Sequence, residues 1–113
     1  MRILHVLSQL PDRTGSGIYL QSLVREAAAR GHEQAVVAAA NVDQEVAPDA
    51  LAAGHVELVR FNSDELPFLL PGMSDVMPYP STRFSDMTDE QVTAYLAAFE
   101  AALIRARDRH DPQ

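Results

Sequence analysis

The sequence contains no cysteine among its 113 residues. This absence excludes disulfide frameworks, thiolate zinc sites and cysteine nucleophiles. Basic residues are also scarce, because nine arginines stand against sixteen acidic residues and give a net charge of −7. A protein this acidic is unsuited to a broad nucleic-acid footprint or to an anionic membrane surface. We therefore expect no nucleic-acid partner.

Long hydrophobic runs are absent as well, and nothing approaches the ~20 apolar residues of a membrane span. The apolar stretch at residues 3–10 is interrupted by His5, Ser8 and Gln9, unlike the core of a secretory signal. We therefore expect a cytoplasmic protein with no membrane span. Hydrophobic residues make up 47% of the sequence and charged residues 22%, which is typical of a globular protein. The length suits a single domain or part of one, residues 1–113.

Hydrophobic periodicity predicts an α/β fold built on an open, Rossmann-like parallel sheet. The nearly continuous apolar run at 2–8 predicts a strand that is buried on both faces and central in the sheet. Gly31 is suited to ending a helix that begins at Ile18, and Thr88 with Gln91 has the spacing of a capping box. The predicted elements are strands at 2–8, 33–40 and 56–61, helices at 18–30 and 88–107, a helical turn at 48–53, and long loops at 9–17 and 62–87.

Both predicted helices are amphipathic, with apolar residues recurring at helical spacing. Prolines at four positions between 67 and 80 argue against a regular element in the long second loop. The predicted core faces are Leu20, Leu23, Val24, Ala27 and Ala28 on the first helix, and Val92, Tyr95, Leu96, Phe99, Leu103 and Ala106 on the last.

Three strands are few for a doubly wound fold. In the usual strand order the next strand would lie beside the first strand, on the side away from the second. Without that neighbour the first strand keeps an exposed edge, from which we expect self-association as a homo-oligomer. The sequence is therefore interpreted as a partial domain that is completed by further polypeptide or by assembly.

The loop after the first strand contains the strongest candidate binding site. Ligands of open α/β sheets bind outside the carboxyl ends of the strands, where a helix N-terminus can hold an anion. Gly15, Ser16 and Gly17 lie there, and the two glycines let the backbone approach a ligand. The alternative is that they only form a tight turn. A nicotinamide-dinucleotide fingerprint is disfavoured, because Leu20 stands where a third small residue belongs and the loop is too long.

The second loop offers another candidate surface, in which hydroxyl groups and an arginine line a cleft for a polar or anionic ligand. Simple packing over the sheet is an equal alternative. The candidate residues are Ser74, Asp75, Tyr79, Ser81, Thr82 and Arg83.

The histidines, at positions 5, 32, 55 and 110, do not have metal-ligand spacing, so we expect no metal site. His5 is predicted to be a packed, hydrogen-bonded core histidine within the first strand. His32 and His55 are predicted to lie in solvent-exposed loops.

Several segments resemble nucleotide-sugar-dependent glycosyltransferases of the GT-B fold, in the retaining group related to sucrose and glycogen synthases. They are the opening strand at 1–8, the loop at 11–17, and the segment at 23–33, in which Ala-Arg-Gly-His-Glu leads into the second strand. Residues 72–86 are similar to a stretch found in a bacterial subset of that group. The resemblance covers essentially the whole chain.

The resemblance implies the N-terminal, acceptor-side half of an enzyme that transfers a sugar from a nucleotide-sugar donor to a small-molecule acceptor. Gly15 and Gly17 would lie at the cleft near the donor diphosphate, and the loop at 72–85 would bind the acceptor. The partner would be a C-terminal nucleotide-binding domain carrying the family's paired glutamates. That domain and the family's cleft histidine are not in this sequence, so we expect no catalytic residue and no turnover in the chain alone. The GT-B scheme needs no metal and no cofactor beyond the nucleotide sugar.

Two other functions remain open at this point. The first is a free-standing Rossmann-like module that binds a ligand or assembles into oligomers without catalysis. The second, a nicotinamide-binding domain, is the less favoured because of Leu20 and the long loop.

Overall fold

The structure is α/β, with a small parallel sheet and two long helices. It is a computed structural model that describes residues 1–11, 14–43, 55–72 and 81–110. Its elements are β1 (Arg2–Val6), α1 (Gly15–Ala29), β2 (Glu33–Asn41), β3 (His55–Phe61), β4 (Pro71–Gly72), β5 (Thr82–Arg83), a 3₁₀ turn (Phe84–Asp86) and α2 (Asp89–His110).

The larger sheet has the order β1-β2-β3, so β2 is its central strand. Both pairings are parallel, with Leu4 opposite Ala35 and Ala38 opposite Leu58. Every residue of β2 from 34 to 41 is buried. The prediction of an open parallel sheet is therefore confirmed.

The helices cover opposite faces of β2, because successive residues of a strand point to opposite sides. On one face Leu20 and Val24 of α1 pack against Val36 and Ala38. The other face carries the larger core, to which α2 contributes. That core contains Leu10, Val37, Ala39, Ala40, Val59, Phe61, Leu66, Phe68, Leu70, Phe99, Ala102 and Ala106.

The position of β1 corrects the prediction of a central first strand. In the sheet formed by the described residues β1 lies at an edge, and its residues are only half-buried or exposed. An apolar run predicts burial, but burial also requires a neighbouring strand on each side, and the run does not identify which strand has both. The central place belongs to β2, whose alanines allow both helices to approach. The exposed edge expected for the first strand is present in this part of the chain.

The start of α1 also differs from the prediction. The helix begins at Gly15 rather than Ile18, because Thr14 caps it. Its buried face is narrower than the apolar pattern indicated, since Leu23 is 42% exposed and Ala28 is exposed. The apolar residues on this side of the fold therefore exceed what the sheet covers.

The capping box at the start of α2 is confirmed. The Thr88 N–H donates to Oε1 of Gln91 over 3.0 Å, and the Gln91 N–H donates to Oγ1 of Thr88 over 3.1 Å. The buried face of α2 differs from the predicted one, because it includes Ala102 beside Phe99 and Ala106. Alanines allow the closest contact between the helix and the sheet. Val92 and Leu96 are accordingly exposed, at 40% and 59%.

The second loop contains more regular structure than its prolines indicated. β4 and β5 pair in parallel, with Pro71 opposite Thr82. The Thr82 N–H donates to the carbonyl of Leu70 over 3.0 Å. This hydrogen bond does not require an N–H from Pro71, which has none. The 3₁₀ turn follows directly. The helical turn predicted at 48–53 lies outside the described residues.

Tight packing at β2 leads to a prediction about Ala39. Its side chain is fully buried in the core cluster that contains Phe99, so a larger side chain displaces its neighbours. We expect Ala39→Leu to lower the free energy of unfolding by about 1–3 kcal/mol, measured by urea denaturation. The matched control is Ala28→Leu at an exposed position of α1, which should change it by less than ~0.5 kcal/mol. Equal effects at both positions would contradict the packing argument.

Candidate functional site

Residues 7–11, which follow β1, cross the carboxyl edge of the sheet in a well-packed path. Leu10 and Pro11 are fully buried. The Gln9 carbonyl accepts a hydrogen bond from the Ala39 N–H over 3.2 Å, which ties the segment to β2. Nε2 of Gln21 donates to the Pro11 carbonyl over 2.9 Å, which ties it to α1. The sheet and the helix together therefore hold residues 9–11 in place.

Thr14 and Gly17 join the loop to the first turn of α1. Oγ1 of Thr14 accepts from the Gly17 N–H and donates to the Leu10 carbonyl, each over 2.9 Å. A Cβ on Gly17 would lie 2.7 Å from the carbonyl oxygens of Leu10 and Pro11. Gly17 therefore serves packing, and Thr14 already satisfies its amide. An approach of a ligand to Gly17 stays a prediction.

Gly15 and Ser16 form the exposed beginning of α1. A Cβ on Gly15 would meet no atom within 4 Å, and Oγ of Ser16 donates to Oε1 of Gln9 over 2.9 Å. No hydrogen bond within the described part of the chain uses the backbone N–H of either residue. A helix N-terminus carries about half a positive charge, and its unpaired amides receive anions well. This arrangement suits a phosphate or carboxylate group.

Sequence reasoning missed Thr14, although its residue type gave a usable signal. A threonine directly before a glycine-rich helix start is a favoured N-cap residue. Placing the N-cap there would also have moved the predicted helix start from Ile18 to Gly15. The glycines indicate backbone freedom, whereas the Thr14 cap fixes the orientation of the amides in the first turn.

The candidate residues of the second loop are only partly within the described chain. Ser81 and Thr82 are half-buried, and Arg83 is exposed. Nε of Arg83 binds Oδ2 of Asp86 over 2.9 Å. The pairing with β4 and the ion pair with Asp86 hold this segment against β4 and the 3₁₀ turn, not against the start of α1. A role in acceptor binding stays a prediction. The candidates outside the described residues are Ser74, Asp75 and Tyr79.

A charged cavity of about 460 Å³ lies beside β3, and sequence reasoning did not identify it. It combines two guanidinium groups, two carboxyl groups and a hydroxyl group over an apolar floor. The sequence feature that could have indicated this cavity is the polar segment Ser63–Asp64–Glu65, which follows the third strand. The lining residues are Leu58, Val59, Arg60, Ser63, Asp64, Glu65, Leu66, Ala98, Ala101 and Arg105.

Glu57 connects β3 to α2 through Arg105, which lines this cavity. Its Oε1 accepts a hydrogen bond from Nε of Arg105 over 2.6 Å, and its Oε2 lies 3.0 Å from Nε2 of His55. Burial acts to raise the pKa of Glu57, but the hydrogen bonds from Arg105 and His55 outweigh it and hold the pKa below its usual value. The position of His55 corrects the prediction of an exposed loop histidine, because it is half-buried within β3.

The packing of Gly17 predicts opposite results for two glycine substitutions. Gly17→Ala should lower the free energy of unfolding by about 1–3 kcal/mol or more, because its Cβ meets backbone atoms that cannot rotate away. Gly15→Ala has open space and restricts the unfolded chain, so it should be neutral or stabilise by up to ~1 kcal/mol. Urea denaturation measures both. A Gly17→Ala variant as stable as wild type would refute the packing role.

The depressed pKa of Glu57 predicts a pH effect on stability. The ionised carboxylate stabilises the fold above its ordinary pKa of 4.5, and this stabilisation is lost as the pH falls through the lower folded-state value. The free energy of unfolding should therefore fall less between about pH 7 and about pH 3 in Glu57→Gln than in wild type. Glu65→Gln, at an exposed position, is the control and should follow wild type. Identical pH profiles for all three proteins would count against the ion pair.

The described residues contain no group of three or more histidine, aspartate and glutamate side chains that could hold a metal ion. In the same residues neither helix has the length and hydropathy to cross a bilayer. Nε2 of His5 lies 2.8 Å from Oε1 of Gln34, which confirms a hydrogen-bonded histidine, but the residue is half-buried rather than part of the core. No protein-family model, no curated protein and no solved structure matches this chain.

Proposed function

We propose that this chain is the N-terminal, acceptor-side domain of a GT-B glycosyltransferase, which transfers a sugar from a nucleotide-sugar donor to a small-molecule acceptor. The observation that carries the proposal is the start of α1 at the carboxyl edge of the sheet. There the amides of Gly15 and Ser16 are exposed and have no acceptor in the described part of the chain. The sequence resemblance supplies the family, and the site supplies a chemistry that fits a donor diphosphate.

In this proposal the domain stabilises the negative charge that forms on the leaving diphosphate. Departure of a nucleoside diphosphate from the donor sugar builds negative charge on the leaving phosphate. Fixed N–H groups aimed at that charge stabilise it more in the transition state than in the ground state. Thr14 holds the first turn of α1 in place through Gly17 and Leu10, so these amides do not need to reorganise.

The remaining parts of the reaction belong to other segments in this proposal. A C-terminal nucleotide-binding domain would hold the base and ribose of the donor and close over the carboxyl edge. The segment at 72–85 would contact the acceptor. The chain alone would therefore bind a diphosphate weakly and turn over nothing.

A free-standing module without catalysis is the second candidate, and one specific observation favours it. The outer edge of β1 has no strand beside it in the described part of the chain, and Val6 at its end is 53% exposed. Such an edge is suited to assembly. A nicotinamide-binding domain is disfavoured, because Leu20 fills the position where the dinucleotide fingerprint needs a small residue.

The enzyme proposal is tested in the natural gene product that contains this sequence. We expect that product to carry a second domain, shown by its intact mass, and to release nucleoside diphosphate from one member of a panel of UDP-, ADP- and GDP-sugars. NADH should not bind. A gene product with a second domain that binds none of these nucleotide sugars would contradict the proposal, as would a product without a second domain.

The anion site itself predicts the behaviour of Gly15→Pro. Proline is favoured at the first helical position, and the extended backbone of Thr14 tolerates it. The substitution removes one N–H donor, so pyrophosphate binding should weaken by about 10–100-fold, the cost of one hydrogen bond to a charged group. Amide chemical shifts in a pyrophosphate titration measure the affinity.

Gly15→Ala is the matched control for this titration, because it adds a side chain and keeps the N–H. It should bind pyrophosphate more tightly than the proline variant does, because it keeps the donor. If the proline and alanine variants bind equally, the amide of Gly15 is not a ligand. If wild type shows no shift at Gly15 or Ser16, the anion site is refuted.

A further inference from the structure

We propose that the outer edge of β3 binds an extended peptide segment of another protein. The peptide pairs antiparallel with β3 and carries a basic residue and, four residues later, an acidic one. The site is the charged cavity of about 460 Å³ beside β3. Adding a strand to the edge of a sheet is a common form of peptide recognition.

The edge of β3 is the outer edge of the sheet, on the side opposite to β1. In the usual strand order of a doubly wound sheet the third strand is outermost on its side, whereas further strands follow beside the first. The peptide site is therefore compatible with the domain proposed above. It does not rest on the glycosyltransferase function, because it lies at the side of the sheet and not at the start of α1.

The backbone of β3 offers a hydrogen-bond donor and an acceptor to the cavity. The Val42 N–H donates to the Phe61 carbonyl, so the backbone groups of odd-numbered residues in β3 face β2. Because these groups alternate between the two sides of a strand, those of Leu58 face outward. Leu58 lines the cavity, and its N–H and carbonyl have no partner in the described part of the chain. They are available to an added strand.

The helix α2 forms the second wall of the cavity and runs antiparallel to β3. Phe99 packs against Phe61 at the end of β3, with ring centroids 6.5 Å apart. Arg105 binds Glu57, which lies four residues earlier in β3. Ala101 is exposed and lines the cavity between these two contacts. A small side chain there leaves space for one apolar side chain of a peptide.

Opposite charges line the two ends of the cavity and do not pair with each other. Asp64 and Glu65, in the segment after β3, are exposed and form no ion pair within the described residues. At the other end Nε of Arg105 binds Glu57, and its two Nη groups have no acceptor in the same part of the chain. Such an arrangement suits a ligand that carries both signs of charge, with its basic group at the carboxylates and its acidic group at the guanidinium.

The two faces of β3 define the register of a five-residue peptide. Val59 and Phe61 face α2, as does Glu57 through its contact with Arg105. Opposed residues of an antiparallel pair point to the same face. The first, third and fifth peptide residues therefore face α2, opposite Phe61, Val59 and Glu57. The fourth lies opposite Leu58 and exchanges both backbone hydrogen bonds with it.

This register places each peptide side chain beside a matching group. The first residue lies at the end of β3, near Asp64 and Glu65, and is basic. The fifth lies near Arg105 and is acidic, and the third is apolar and packs over Ala101. The four intervening steps of a strand span ~13 Å, comparable with the ~10 Å that α2 covers between positions 98 and 105.

The test is a titration of fluorescein-labelled Lys-Thr-Val-Thr-Glu, with both termini blocked, with the natural gene product that contains this sequence. Fluorescence anisotropy should show saturable binding. The peptide Glu-Thr-Val-Thr-Lys has the same composition with reversed charges and should bind about tenfold more weakly. N-methylation of the fourth residue removes the donor to the Leu58 carbonyl and should weaken binding by about 3–10-fold. N-methylation of the third residue, whose N–H points away from β3, is the matched control.

Substitutions in the protein test the two walls of the site. Ala101→Leu fills the cavity and should weaken binding by about tenfold or more, whereas Ala28→Leu on α1 should bind as wild type does. Urea denaturation shows whether both variants remain folded. Asp64→Lys/Glu65→Lys changes only exposed side chains and should bind Glu-Thr-Val-Thr-Glu more tightly than wild type does.

Several results would overturn the proposal. They are the absence of saturable binding, equal affinity for the two charge patterns, no effect of N-methylation at the fourth residue, and wild-type affinity in folded Ala101→Leu. Hydrogen exchange supplies another, because protection of the Leu58 amide without any peptide would mean that a segment of the same protein covers this edge. None of these results alters pyrophosphate binding at Gly15, so the two proposals fail separately.

Discussion

The burial of β2 is the constraint on which the rest of this structure depends. Residues 34–41 of β2 have a helix on each face and a strand on each side and are buried, so each of these side chains must fit a fixed space. Alanines at four positions of β2 meet that requirement. They allow α1 and α2 to approach closely, and the two helices then define where β1, β3 and the connecting segments lie.

The second constraint is the supply of hydrogen bonds at the carboxyl edge. Asn41 ends β2 fully buried, and its Oδ1 accepts from the Leu70 N–H over 2.7 Å. In the segment that leads into α1, Oγ1 of Thr14 accepts from the Gly17 N–H and donates to the Leu10 carbonyl, and the Gln9 carbonyl accepts from the Ala39 N–H. Polar side chains at strand ends therefore hold two long connections against the sheet, in places where backbone groups would otherwise be buried without partners.

Much of the fold could be predicted from sequence because it depends on local signals. The capping box of Thr88 and Gln91, the glycine after α1 and the apolar runs of three strands are visible in short windows. The position of β1 at the edge of the sheet could not be predicted, since strand order depends on pairing between strands that are far apart in sequence. The narrow buried face of α1 has the same origin: Leu23 has the right spacing, but no neighbour covers it. The sequence placed Gly15, Ser16 and Gly17 between the first strand and the first helix, but it did not indicate the close approach at Gly17, because Leu10 and Pro11 follow a path that no local pattern specifies.

The contact between Gly17 and the loop also bears on how fast a ligand would bind. Backbone atoms of Leu10 and Pro11 lie where a Cβ of Gly17 would be, so these two residues pack directly against the first turn of α1. An anion arriving at the exposed amides would find them already oriented, with no closing step to wait for. Association at this site should then be governed by diffusion and by the repulsion from a protein that carries a net charge of −7. Raising the ionic strength would reduce that repulsion and speed the encounter.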